Sequence, residues 1–184
     1  MDPIKDKFLC DKYPKIFKDR HGAPTSTAMC WGFECGDGWF NIIDSLCELI
    51  QRHIDNSLED HRRSIEWNSI LFEARAGNIA PMMEYYSKLG YDKKDLDEAV
   101  NSALASTSYS EVLEPIEQVV ALQVKEKFGS LRFYFVGGDS YIDGAVNMAE
   151  YMSRKTCNDC GNVGTRSMTG WVSVRCEKCK NLSV

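Results

Sequence analysis

The chain has 184 residues, of which 43% are hydrophobic and 11% aromatic, enough to bury one core with a small appendage and too many for a disordered chain. Its formal net charge is −5, but residues 154 to 180 hold six Lys and Arg against Asp159 and Glu177, so the rest is more acidic and unsuited to wrapping nucleic acid. No segment approaches the roughly 18 apolar residues of a membrane span, and the start lacks the apolar run of a signal peptide, so we expect a cytoplasmic protein without membrane contact.

The first clear pattern is an amphipathic helix entered through the turn Gly36-Asp37-Gly38. Hydrophobic residues recur there at spacings of three and four, at Trp39, Ile43, Leu46, Ile50 and Ile54. Asp37 stands where an N-cap would stand, and a carboxylate beside glycine is more often a turn or cap residue than a catalytic acid.

Residues 59 to 106 predict three short helices. The first ends at Gly77-Asn78, the second begins near Pro81 and ends at Gly90, and the third has Asp92 as its N-cap.

The period then changes to two, which predicts a β-hairpin with one buried face. On the first strand we assign Val120, Leu122 and Val124 to the buried face. After a turn at Gly129-Ser130, the residues on the buried face are Leu131, Phe133 and Phe135. We expect this face to pack on Trp39, Leu46, Ile50 and Val146.

A last helix follows, with Ile142, Val146, Ala149 and Met152 on one stripe. Ser140 with Asp143 resembles a capping box, and Asp139 also fits a capping role. Gly144 inside the helix should cost about 1 kcal/mol relative to Ala, which predicts that the hairpin approaches its backbone.

Two Cys-x-x-Cys pairs, separated by fifteen residues, follow this helix at Cys157, Cys160, Cys176 and Cys179. That spacing is typical of a ribbon in which four thiolates bind one Zn²⁺ tetrahedrally, leaving no position for a catalytic water, so we expect one structural zinc. The fold class is therefore predicted as α+β, with helices packed on a β-hairpin or small antiparallel sheet. Residues 1–155 form the core, including a helical insertion at 56–115, and residues 156–184 form the zinc ribbon.

The cations around the ribbon have two interpretations. They either balance the negative charge of a zinc tetrathiolate or, together with the aromatic Trp171, contact nucleic acid. The cations concerned, in and next to the ribbon, are Arg154, Lys155, Arg166, Arg175, Lys178 and Lys180.

The remaining cysteines, Cys10, Cys30, Cys35 and Cys47, are best interpreted as buried free thiols, since no motif ties them to a second metal or to a histidine. On the hairpin, Arg132 and Tyr134 give a weak basic and aromatic strand surface. With Asp37 and Trp39 these two residues are candidates for a small-molecule pocket.

The motifs "WGFECGDGWF", "QVKEKFGSLRFYF" and "AEYMSRKTCNDCG…GW…CEKC" occur in this order. Together they resemble a family of small, largely uncharacterised proteins of tailed phages and prophages, over residues 30 to 55 and 119 to 179. The resemblance implies a phage origin and the cytoplasm of a host bacterium, and it carries no reaction. Residues 56 to 115 form a longer helical insertion than we associate with that family.

Three function hypotheses follow, and none of them is an enzyme with assigned catalytic residues. The first is a protein that binds and modulates or inhibits a host protein, including an antiviral defence factor, by analogy with small accessory phage proteins. The second is a nucleic-acid-binding accessory protein that uses residues 154–180. The third is a small-molecule binder or enzyme, for example a protein that sequesters a signalling nucleotide. Trp67, Phe72, Tyr85 and Tyr86 in the insertion are either interface hot spots or the insertion's own core.

Overall fold

A computed structural model describes residues 1–106, 108–167, 170 and 172–181. The helices are α1 (Pro3–Lys12), α2 (Phe40–Arg75), α3 (Ala80–Lys88), α4 (Lys93–Ala105), α5 (Ser140–Ser153) and α6 (Glu177–Asn181). The strands are β1 (Phe33–Glu34), β2 (Val120–Glu126), β3 (Leu131–Val136), β4 (Thr165–Arg166) and β5 (Val174–Arg175). The predicted α+β class is confirmed, with small sheets and a C-terminal cysteine cluster. Within the described ranges, no helix has both the length and the apolar character needed to cross a membrane.

The chain divides into two compact units. The first unit is Met1–Asp55 with Ile116–Val184, and the second unit is Asn56–Pro115. The core and the cysteine-rich tail thus belong to the same unit, and each unit has a hydrophobic core of its own.

The core of the first unit is built on a three-stranded sheet with the order β1-β2-β3. β1 runs parallel to β2, and β2 forms the antiparallel hairpin with β3. The residues predicted to meet in this core do so: the cluster contains Trp39, Leu46, Ile50, Leu131, Phe133 and Val146, with Phe135 partly buried against it. The helix spacing and the β3 alternation therefore identified the core correctly.

The predicted face of β2 is wrong at one position. The pairing with β3 shifts between Ala121 and Gln123, so that Leu122 is the extra residue of a β-bulge. Ala121 is consequently buried beside Val120, whereas Leu122 is 36% exposed. The bulge inverts the two-residue alternation because it inserts one residue without inserting a partner.

The first helix predicted in residues 59–106 is not a separate short helix. It is the second half of α2, which runs unbroken for 36 residues. No glycine or proline stands between Phe40 and Arg75, so nothing in the local chemistry stops the helix. α3 and α4 are confirmed, and the Asp92 side chain accepts hydrogen bonds from the backbone N–H groups of Lys94 and Asp95.

The second unit has a core of buried residues at Leu71, Ala74, Met82, Leu96, Val100 and Ala103. The segment that follows α4 is held along α2 by side chains of that helix. Asn68 exchanges two 2.8 Å hydrogen bonds with the backbone of Ser110, and His61 Nδ1 lies 2.7 Å from the Leu113 carbonyl oxygen. These bonds satisfy the backbone of a segment that has no regular structure of its own.

At the start of α5 the N-cap is Asp139, whose carboxylate accepts from the backbone N–H of Ile142; Ser140 is already inside the helix. The prediction for Gly144 is wrong, because a Cβ added there meets nothing within 4 Å. Gly144 lies on the solvent side of α5, opposite the buried stripe of Ile142, Val146 and Ala149. Met152, predicted on that stripe, is 50% exposed, and Ser153 is the buried residue at that end of the helix.

Candidate metal centre

The four cysteines of the two Cys-x-x-Cys pairs come together in the structure. The Sγ atoms of Cys157, Cys160, Cys176 and Cys179 all lie within 4.8 Å of one another, and those of Cys160 and Cys176 are 3.6 Å apart. A tetrahedral site with metal–sulfur bonds of about 2.3 Å needs sulfur separations of about 3.8 Å. None of the four is in a disulfide. The cluster is therefore positioned to bind a metal ion.

Among the described residues this is the one group of three or more potential ligands that converges on a common point. Cys10, Cys30, Cys35 and Cys47 do not form a second such group. Burial raises the pKa of Cys35 to about 12, and burial together with Asp6 raises that of Cys10 to about 12. Thiols with raised pKa values are poor nucleophiles. The interpretation as buried free thiols is confirmed for Cys35 and Cys47 but is wrong for Cys10 and Cys30, which are partly exposed.

Residues 157–160, which we call the first cysteine turn, follow α5 directly. The turn closes through a 2.9 Å hydrogen bond from the Gly161 N–H to the Cys157 carbonyl, with Gly161 in the left-handed region at φ +81°. Residues 176–179, the second cysteine turn, overlap the start of α6. The two-stranded β4–β5 sheet and a 2.9 Å bond from the Asn158 N–H to the Val174 carbonyl bring the turns together.

The thiols of the cluster differ in acidity. Burial raises the pKa of Cys157, but hydrogen bonds from the backbone N–H groups of Cys176, Cys160 and Asp159 outweigh it and lower the pKa to about 7. Hydrogen bonds with Cys160 and Cys176 raise the pKa of Cys179. The backbone hydrogen bonds thus favour the thiolate form of Cys157, and the remaining thiol protons must leave as a metal binds.

The first cysteine turn rests on residues 36–38, which we call the glycine turn. The Gly38 N–H donates to the Asn158 carbonyl at 2.8 Å, and the Gly36 N–H donates to Asn158 Oδ1 at 2.8 Å. A Cβ at Gly36 would lie 2.1 Å from the Asn158 carbonyl oxygen, and one at Gly38 would lie 2.0 Å from the Cys157 carbonyl oxygen. Both positions thus need glycine for close backbone approach, a role beyond the helix entry that the local pattern indicates.

Asp37 and Trp39 have structural partners on either side of this turn. Asp37 accepts from the Asp2 N–H at 2.7 Å and from Lys5 Nζ at 3.2 Å, and the Asp2 bond, the larger cause, lowers its pKa. Asp37 therefore ties the start of α1 to the turn and does not cap α2. Trp39 is 0% exposed and donates from Nε1 to the Thr156 carbonyl at 2.8 Å, so its ring is closed to a ligand.

Arg132 and Tyr134, the other two residues of the hypothetical pocket, point along the hairpin. Arg132 donates to Ser130 Oγ at 2.8 Å and to Glu150 at 3.0 Å. Tyr134 is 40% exposed, with Lys125 Nζ 5.7 Å from its ring centroid. Of the four predicted pocket residues, Tyr134 is thus the one that offers an aromatic face to solvent.

Two cations of the ribbon are paired with its acidic residues. Arg175 Nε lies 3.0 Å from Asp159, and Lys180 lies 2.8 Å from Glu177. The Arg166 side chain passes over the hairpin turn, 3.2 Å from where a Cβ on Gly129 would be. Trp171 lies outside the described residues, so the stacking platform predicted there is not described.

The aromatic residues of the insertion separate into two environments. Trp67, Tyr85 and Tyr86 pack on one another with ring centroids 5.4 to 5.9 Å apart, and Trp67 and Tyr86 also pack against the core of the second unit. Phe72 is 65% exposed.

No protein-family model matches the chain, and no match is found among curated proteins or solved structures. Fold and site together define a small α+β protein with a four-cysteine cluster positioned to bind a metal ion. The contact between the glycine turn and the first cysteine turn could not be predicted from the sequence. Its hydrogen bonds join residues more than a hundred positions apart, and such bonds leave no local sequence pattern.

Proposed function

We propose that the chain is a zinc-containing protein that works by binding another protein and catalyses no reaction of its own. Zinc is the proposed ion because four thiols within 4.8 Å of one another suit Zn²⁺, and four thiolates fill its coordination shell so that no position is left for a reacting water. The resemblance to phage proteins supplies the proposed setting, in which the partner is a bacterial host protein such as an antiviral defence factor.

The observation that carries this proposal is the surface of the second unit. Residues 56–115 contain six Lys and Arg against eleven Asp and Glu, whereas the first unit contains sixteen of each. The formal charge of −5 therefore belongs entirely to the second unit. The same unit exposes large hydrophobic side chains at Ile65, Phe72, Ile79, Met83, Leu89, Tyr91, Tyr109, Val112 and Leu113.

Acidic character and exposed apolar side chains together indicate the chemistry of the partner. Opposite charge steers association and fixes orientation, while apolar and aromatic side chains supply the buried centre of an interface. Trp67, Tyr85, Tyr86 and Leu89, with Arg63 at the edge, also line a cleft of about 340 Å³ within this unit. We propose that the partner has a basic surface with an apolar side chain that enters this cleft.

Removing the second unit tests the proposal. Gln51 and Gln118 flank the insertion and exchange two amide hydrogen bonds, at 3.3 and 3.2 Å, so a short Gly-Ser linker can join residues 55 and 116. In a pull-down from the bacterial host, the full chain should retain a protein partner and the truncated chain should lose it while keeping its metal. A truncated chain that folds and keeps the partner would place the binding surface on the first unit.

A point variant makes the same test without a deletion. Phe72→Ser should weaken partner binding about tenfold or more, as expected of an interface hot spot. Val163→Ser is the matched control, because Val163 is 85% exposed and lies in the first unit. If nucleic acid or a nucleotide is retained instead of a protein, and nucleic-acid affinity falls steeply with salt, the proposal is wrong.

A further inference from the structure

We infer that the glycine turn holds the first cysteine turn in metal-binding geometry, so that Gly36, Gly38 and Asn158 are positioning residues for the metal centre. The inference deepens the proposed zinc function and rests on it.

Asn158, the residue after the first ligand, is fixed on three sides. Its carbonyl and its side-chain Oδ1 each accept a 2.8 Å hydrogen bond from the glycine turn, from Gly38 and Gly36 respectively. Its own N–H donates to Val174, the start of the strand that leads to Cys176. One residue therefore links both cysteine turns to the body of the first unit.

The glycine turn also packs against the main chain of the first cysteine turn, which includes the Cys160 N–H that donates to the Cys157 sulfur. A Cβ at Gly38 would lie 2.0 Å from the Cys157 carbonyl, 2.3 Å from the Gly161 nitrogen and 2.8 Å from the Cys160 nitrogen. These are main-chain atoms, so a side chain at position 38 must displace the first cysteine turn as a whole. Groups that orient metal ligands in this way typically contribute a factor of about 10 to 100 in metal affinity.

The experiment measures Co²⁺ and Zn²⁺ binding to the full chain with all four cysteines intact. Gly38→Ala and Asn158→Ala should each weaken Zn²⁺ binding by about 10- to 100-fold and alter the Co²⁺ d–d absorption bands, which report the tetrahedral thiolate geometry. Asn158→Asp keeps the oxygen that accepts from Gly36 and should restore most of the affinity and the spectrum. A purely structural destabilisation elsewhere in the core would leave the Co²⁺ spectrum of the folded protein unchanged.

Gly144→Ala is the matched control, since it makes the same chemical change at a glycine whose Cβ meets nothing within 4 Å, and it should bind metal like the wild type. Wild-type affinity and spectrum in Asn158→Ala, or in a folded Gly38→Ala, would overturn the inference. If Gly38→Ala does not fold, the Asn158 variants decide alone. A wild-type chain that binds neither ion would instead refute the proposed zinc function.

Discussion

Gly38 and Gly144 show how differently the same residue type is used in this chain. Gly38 is packed against backbone atoms, whereas Gly144 in the middle of α5 faces open space. Because glycine in a helix interior costs about 1 kcal/mol relative to alanine, Gly144→Ala should raise the free energy of unfolding by about that amount. Urea denaturation monitored by circular dichroism would show the higher midpoint, and a lower midpoint would mean that position 144 is crowded.

Asp6 forms a bidentate ion pair with Arg20, with Oδ1 2.9 Å from Nε and Oδ2 3.0 Å from Nη2. Burial raises the pKa of Asp6, but the hydrogen bonds and charge of Arg20 prevail and lower it. Since the folded pKa lies below the unfolded value of about 3.9, the contribution of Asp6 to stability is present above pH ~4 and is lost as the pH falls through the folded pKa.

Asp6→Asn should therefore destabilise the protein by about 1–3 kcal/mol at pH 7 and should show a smaller further loss than the wild type between pH 4 and pH 2. Urea unfolding at several pH values measures both effects. Asp11→Asn is the comparison, because Asp11 forms an exposed pair with Lys7 that should contribute little. Equal acid sensitivity of Asp6→Asn and the wild type would contradict this account.

For helices and strands, the sequence predicts the features that depend on neighbouring residues, namely which face of each element is buried. The spacing of Trp39, Ile43 and Ile50 and the alternation in β3 identify buried faces, because side-chain direction follows directly from helix and strand geometry. The continuation of α2 also follows from local chemistry, because no glycine or proline interrupts it, but the bulge at Leu122 was not predictable in this way. A hydrophobic residue at a bulge leaves the pattern intact, and β1, with two residues, is too short to show a pattern at all.

Phe133 tests the packing of the hairpin against the helices, since it is 3% exposed and its ring lies 6.4 Å from that of Phe17. Phe133→Ala should cost about 3–5 kcal/mol, from lost burial and the cavity left behind. Tyr134→Ala, on the opposite face of β3, should cost far less. Similar losses in the two variants, measured by chemical denaturation, would show that the hairpin is buried on both faces.

The cysteine cluster should be coupled to the glycine turn. The purified protein should contain about one zinc per chain, and Cys160→Ser should lose it. Because the Gly36 and Gly38 amides donate to Asn158, their hydrogen exchange should accelerate in Cys160→Ser, and the melting temperature of the first unit should fall. An unchanged melting temperature would show that the ribbon folds independently of the core.

For the whole molecule, the presence of two hydrophobic cores predicts that each unit has its own free energy of unfolding. Met82 is fully buried in the core of the second unit, so Met82→Ala should cost that unit about 2–5 kcal/mol. Hydrogen exchange should accelerate in α3 and α4, while protection in β2 and β3 and the metal affinity stay at wild-type values. Faster exchange throughout the hairpin would show that the two cores unfold as one.

The hydrogen bond from Trp39 to Thr156 joins residues 117 positions apart, and this separation determines how early this contact can form during translation. At about 5–20 residues per second, roughly 6 to 23 s pass between the synthesis of the two residues. The insertion of residues 56–115 supplies about half of that interval. Doubling a loop adds only about 0.6 kcal/mol of closure entropy, so the insertion costs little at equilibrium. Its larger effect is on timing. The insertion about doubles the time between the synthesis of the glycine turn and the synthesis of the first cysteine turn, which packs on it.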